Sequence, residues 1–192
     1  LNNLDEFLEE WGIKYVPDTF VRDYGNSTTV DGRTIIAEFN SDSEDFAVAL
    51  YEDILLSPTL PKAIIKNAAP IDILWSEGGD VGSVRYVSSL FTSSSGAELV
   101  SNGNIVKKGS APIMTVSCES RMYDNNRYFS YVIAGSPSFA SNNYLISNSY
   151  ANRDVLAATM RMTGRERILA DIDFKVFDDT DLTITTAQAI GW

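Results

Sequence analysis

Apolar residues recur at helical spacing in the first dozen positions. Leu1, Leu4, Leu8 and Trp11 line up with Phe7 beside them, and Asp5, Glu6, Glu9 and Glu10 fall on the other side. This periodicity predicts an amphipathic helix that Gly12 stops. The segment 14–23 predicts an extended stretch broken at Pro17. Asp31-Gly32 marks a turn ahead of the apolar strand Thr34–Phe39. Over 40–58, Ser and Asp residues precede an apolar stripe of Phe46, Ala49, Leu50 and Ile54, and Pro58 and Pro61 close it, so a second helix is expected. Asp42, Glu44 and Asp45 read as residues of its first turn, since the spacing lacks the further ligands and Gly turn of a calcium loop.

From there the pattern turns to strands. Residues 62–75 read as two strand pieces bent at Pro70, and 76–83 as a glycine-rich loop. A strand from Val84 runs into a polar, Ser-rich connection. The segments 111–120 and 127–135 carry the strongest strand patterns, and the short polar stretch between them, 120–126, predicts a hairpin or adjacent strands. The run Tyr-Phe-Ser-Tyr-Val-Ile-Ala-Gly at 128–135 is nearly all apolar, as expected of a strand covered on both faces. A helix is predicted from near Asn152 to Gly164. At the end, Ile172, Phe174 and Val176 alternate with Asp171, Asp173 and Lys175, the mark of a half-exposed strand. The sum is an α/β domain with a mixed sheet over 1–170 and a β-rich hairpin tail over 171–192.

Composition then removes whole classes of chemistry. The 192 residues contain no histidine, which excludes Ser-His-Asp and Cys-His catalysis and His-ligated zinc. The single cysteine, Cys118, forms no intramolecular disulfide and reads as a small buried hydrophobe within a strand. Formal net charge is −11, from 26 acidic against 15 basic side chains, a surface that repels phosphate backbones and anionic headgroups. No apolar run reaches the roughly 18 residues of a membrane span. The chain opens on Leu within a helical pattern, so an excised segment of a longer protein is expected.

The one loop that invites a chemical reading is Gly-Ser-Pro-Ser-Phe-Ala-Ser-Asn at 135–142. A nucleophile elbow requires Gly-x-Ser-x-Gly, but Pro137 and Phe139 occupy the positions that should be Ser and Gly. No Ser-x-x-Lys pair and no phosphate-binding glycine loop occurs in the chain. The loop instead reads as a corner, with Gly135 turning the chain, Pro137 stiffening it and Phe139 plugging the core. A ligand contact is the competing reading, because loops at strand ends of open α/β sheets often bind ligands.

The residues of this loop carry a resemblance. "VIAGSPSFASNNYL", followed by "NRDVLAATMRMTGRE", resembles the strand, polar loop and Asn-led helix of the gliding-motility-type (Gldg) ABC-transporter auxiliary family. "LNNLDEFLEEWGI" is similar to that family's helix before a Gly-Ile, and "DLTITTAQAIGW" to the stretch before its C-terminal membrane span. The resemblance implies a flavodoxin-like, class I glutamine-amidotransferase-like α/β fold, present here as a partial domain. It also implies a place on the extracytoplasmic face of the cell membrane, beside ABC permease and ATPase subunits. No amidotransferase chemistry comes with it, since Cys118 sits in no elbow and has no His partner, and family members often carry an acidic residue where this chain has Ser136 or Ser138.

The reading that follows is a non-enzymatic domain working by contact, without cofactor, metal or nucleic acid. Its candidate contact residues are Ser136, Ser138, Ser141, Asn142, Asn143, Tyr144 and Asn152. A small-ligand module, such as a carbohydrate binder using Trp75, Tyr86 or Tyr144, is the alternative. A carboxylate-based hydrolase is the third, requiring two carboxylates close together in a cleft.

Overall fold

The computed structural model describes residues 2–40, 62–147 and 149–163. The second predicted helix and the alternating C-terminal strand, with the tail 171–192, lie outside the described residues. Helix α1 spans Asn2–Glu10. Eleven strands follow among the described residues: β1 Ile13–Tyr15, β2 Thr19–Arg22, β3 Thr34–Phe39, β4 Ala63–Lys66, β5 Ile71–Ile73, β6 Glu77–Gly78, β7 Ser83–Thr92, β8 Glu98–Ser101, β9 Asn104–Lys108, β10 Pro112–Tyr123 and β11 Asn126–Gly135. A single 3₁₀ turn at Pro137–Ala140 leads to α2, Asn142–Leu145, and α3, Asn152–Thr163.

The main sheet has the order β11-β10-β7-β3-β4, with β6 attached to β7. It curls into half of a barrel. Beside it lie the pair β1-β5 and the three-stranded sheet β2-β8-β9. All strand pairings in these sheets are antiparallel. This overturns the flavodoxin-like, amidotransferase-like mixed sheet. Among the described residues strands take 49% and helices 18%, a mostly β fold. The physical difference lies in the connections. A parallel α/β sheet needs helical crossovers between neighbouring strands, whereas β8 to β9 and β10 to β11 are joined by two-residue turns. Among the described residues, helix α1 precedes the first strand, and α2 and α3 follow the last.

Those two turns are made by residues that tolerate left-handed backbone. Asn102 and Gly103 stand at φ 49° and 80°, and Asp124 and Asn125 at 48° and 59°. Two successive positive φ values give the turn whose twist matches that of paired strands. At the end of α1, Gly12 stands at φ 74°, and a Cβ there would come within 2.8 Å of the Trp75 ring. The glycine therefore both stops the helix and lets the indole approach.

The core sits on both faces of the main sheet. One face packs Ile35, Leu90, Phe91, Val116 and Phe139 with Val155 of α3. The other packs Val87 and Ala134 beneath Leu8 of α1, Ile13 and Ile71. Strand β10 runs between β7 and β11 and is buried continuously from Ile113 to Glu119. The coverage on both faces expected of residues 128–135 belongs to β10 instead. Strand β11 is a rim strand, exposed from Asn126 to Ser130 and only half-buried over most of the rest. Its apolar run looks like a buried strand because sequence does not distinguish a rim with exposed aromatics from a covered centre.

Polar ties fix the pieces. The buried carboxylate of Asp23 accepts the backbone N–H groups of Asn26 at 3.1 Å and Ser94 at 2.9 Å, joining the loop after β2 to the loop after β7. Arg85 joins α1 to the sheet. Its guanidinium donates to the Glu10 carbonyl at 2.8 Å and lies 4.9 Å from the Trp11 ring centre. It also donates to the buried Glu119 carboxylate at 2.8 Å. Its cationic group thus faces the negative end of the helix.

Candidate functional site

The loop singled out in the sequence spans the opening of the half-barrel. It leaves β11, one rim of the main sheet, and reaches β4, the other rim. Pro137 opens the 3₁₀ turn, with the Phe139 N–H donating to the Ser136 carbonyl at 3.0 Å. Phe139 is buried with its ring centre 6.2 Å from that of Phe91, so it plugs the core as the corner reading expects. The Ser138 hydroxyl accepts the Lys66 N–H at 3.1 Å and donates to the Lys66 carbonyl. The Ser136 hydroxyl stands 3.1 Å from that of Ser138. Further on, Tyr150 forms a parallel bridge with Lys62, and the Ala151 N–H donates to the Lys62 carbonyl at 3.1 Å.

Asn152 completes this seam. It is fully buried, and its amide acts like a short piece of strand. Oδ1 accepts the Ile64 N–H at 2.8 Å, while Nδ2 donates to the Ile64 carbonyl at 2.8 Å and to the Phe139 carbonyl at 3.0 Å. Side chains therefore replace a neighbouring strand along the outer rim of β4. Of the seven candidate contact residues, Ser136, Ser138 and Asn152 have their polar groups paired inside the chain. Ser141 is half-buried, and its N–H donates to the Ser138 carbonyl at 3.1 Å. Asn142 and Asn143 on α2 are exposed. Tyr144 is half-buried, edge-on to Tyr150 with ring centres 5.8 Å apart.

A second region was not singled out in the sequence. Beyond the pair Arg121–Ser83, β7 ends, and β10 and β11 continue as a two-stranded ribbon to the turn at Asp124-Asn125. Its side chains are large, apolar and exposed: Met122 at 56%, Tyr123 at 74%, Phe129 at 53%, and Tyr128. The register puts Met122 and Phe129 on one face and Tyr123 and Tyr128 on the other. Val84, opposite Ser120 in the register, continues the first face. Val81 lies fully exposed in the adjoining turn, where the Gly82 carbonyl meets the Met122 N–H at 3.5 Å. The only sequence signal for this end was the aromatic residues flanking a two-residue turn.

Two side chains with chemical potential, Cys118 and Trp75, are constrained by their surroundings. Cys118 is buried, and burial pushes its thiol above the ordinary range although the Tyr131 hydroxyl bonds to it. A raised thiol pKa leaves little thiolate at neutral pH. An aromatic disulfide reagent should therefore modify Cys118 slowly in the native chain and at the free-thiol rate in denaturant, read by absorbance. Equal rates would show that the thiol is open. Trp75 lines an open recess of about 400 Å³ with Glu9, Glu10, Asp80 and Arg85. The indole lies against the backbones of Gly12 and Gly78, which occupy ring surface that a stacked sugar would use. Among the described residues no group of three acidic or thiol side chains is placed to hold a metal ion, and no helix is long and apolar enough to cross a membrane.

Set against known proteins, the chain matches no family model, no curated protein and no solved structure.

Proposed function

We propose that this chain is a non-enzymatic contact domain, the extracytoplasmic part of a membrane-anchored ABC-transporter accessory protein. The observation that carries the contact reading is the cluster of exposed apolar side chains at the end of the β10–β11 ribbon. A folded domain that exposes a contiguous apolar patch usually does so to bind something there. The chemistry of the chain supports the non-catalytic half of the proposal: it has no histidine, and its one thiol is buried with a raised pKa. The transporter setting rests on the residues "VIAGSPSFASNNYL" and "DLTITTAQAIGW" that resemble the Gldg family.

The test is co-purification of the full-length protein with the ABC permease and ATPase of its own operon. The three should be recovered together, and Tyr123→Ser/Phe129→Ser should lower the permease yield several-fold without changing the melting temperature. Both side chains are exposed, so their loss should alter stability by no more than about 0.5 kcal/mol. Recovery that ignores the ribbon would refute a permease contact at this surface. Turnover of an ester, amide or glycoside, lost when one side chain is replaced, would refute the non-enzymatic reading.

A further inference from the structure

We infer that the end of the β10–β11 ribbon inserts into the interfacial layer of a phospholipid bilayer. The inference rests on the contact reading and names the partner of that surface.

Three features favour lipid over a protein groove. First, the ribbon carries exposed apolar side chains on both faces, with Met122 and Phe129 on one and Tyr123 and Tyr128 on the other. A protein that docks on a sheet face covers one side of it, whereas a ribbon entering a bilayer meets the same surroundings on both. Second, the residue types suit the boundary between water and hydrocarbon. Tyrosine places its ring in the apolar layer and its hydroxyl among headgroups, and an arginine can extend its guanidinium back to the headgroups. Arg127 stands beside the turn in such a position, while Arg121 is paired with Glu119.

Third, this end is spared the acidity of the rest of the molecule. The chain has a net charge of −11, yet within residues 120–130 Asp124 is the sole carboxylate, against two arginines. The neighbouring Glu119 is held by Arg85 at 2.8 Å and Arg121 at 2.9 Å. Residues 119–130, with two carboxylates against two arginines, therefore bring no net negative charge to a bilayer.

The backbone sets the depth. Within the ribbon the two strands satisfy each other, and the turn adds no long irregular segment. Among the described residues no strand pairs with the outer rim of β11. Unpaired backbone groups are tolerated in the hydrated interface and not in the hydrocarbon core, so insertion stays shallow. Because contact is apolar and the remaining surface is acidic, zwitterionic lipid is favoured and anionic lipid opposes binding.

The experiment is sedimentation of the 192-residue chain with phosphatidylcholine vesicles. Wild type should bind. Tyr123→Ser/Phe129→Ser should lower the partition coefficient about tenfold or more. Val30→Ser/Val106→Ser removes exposed apolar side chains elsewhere and should leave it unchanged. Adding phosphatidylglycerol at low salt should weaken binding. A Tyr123→Trp variant should show extra emission over wild type that shifts to the blue and is quenched by brominated acyl chains. No vesicle binding, binding indifferent to the ribbon pair, or binding that requires anionic lipid would each overturn the inference. If vesicles are ignored while permease co-purification still depends on Tyr123 and Phe129, the lipid assignment falls and the contact reading stands.

Discussion

Asn152→Ala should destabilise the chain by about 4 kcal/mol. The substitution removes two N–H donors and one acceptor that serve three buried backbone groups: the Ile64 N–H, the Ile64 carbonyl and the Phe139 carbonyl. Each buried polar group left without a partner costs about 1–3 kcal/mol. Asn152 is fully buried, so water does not replace the amide without local opening. Asn152→Asp keeps the acceptor for the Ile64 N–H but sets a carboxylate oxygen against the Ile64 and Phe139 carbonyls in a buried site, so at neutral pH it should be at least as destabilising as Ala. Asn143→Ala, at an exposed site on α2, should stay within about 0.5 kcal/mol of wild type. Urea unfolding followed by circular dichroism would measure all three. A loss below about 1 kcal/mol for Asn152→Ala would show that the seam is not held by this side chain.

Glu119→Ala should cost about 3 kcal/mol, for a different reason. The Glu119 side chain is 5% exposed, and Arg85, its closer partner, is 15% exposed. Removing the carboxylate leaves the Arg85 guanidinium largely out of water with one carbonyl and an indole for company. Breaking one partner of a buried pair is more damaging than replacing both with apolar residues of similar size. The double variant Glu119→Leu/Arg85→Met should therefore be more stable than Glu119→Ala. If the double is the less stable, the stabilisation comes from the pair's own attraction and not from avoiding an orphaned charge. Arg121 is more than half exposed, and its loss alone should matter little.

The two variants also mark what could be read from the chain alone. Helix α1, its stop at Gly12 and the strands around Pro17 and Pro70 follow from local periodicity and turn chemistry, which the sequence displays directly. The β10–β11 hairpin was legible from two strong strand patterns separated by a short polar stretch. The β8–β9 hairpin was missed, although Asn102-Gly103 is a strong two-residue turn signal. The serines around it give the stretch the polar look of a connection.

Other features had no local signature. Asn152 reads as the start of a helix, and it is one, but its main partner, Ile64, lies 88 positions away. No spacing rule reaches that far. The α/β expectation came from strand and helix patterns read along the chain, and its flavodoxin-like form from the likeness of a few short segments; neither fixes the direction in which strands pair. The apolar end of the ribbon was hidden because the same tyrosines and phenylalanine suit a buried strand equally well. Only the register, which ends β7 at Ser83 while β10 and β11 continue, exposes them.

The seam along β4 has a consequence for how copies of this molecule behave when crowded. An uncovered strand at the border of a sheet can template growth by a neighbouring chain, the first step towards fibrils. Here an asparagine amide and a serine hydroxyl occupy the sites that an invading strand would need, so β4 is closed to recruitment. Strand β9 is guarded differently: Lys107 and Lys108 place positive charge where a second copy of the same strand would have to lie.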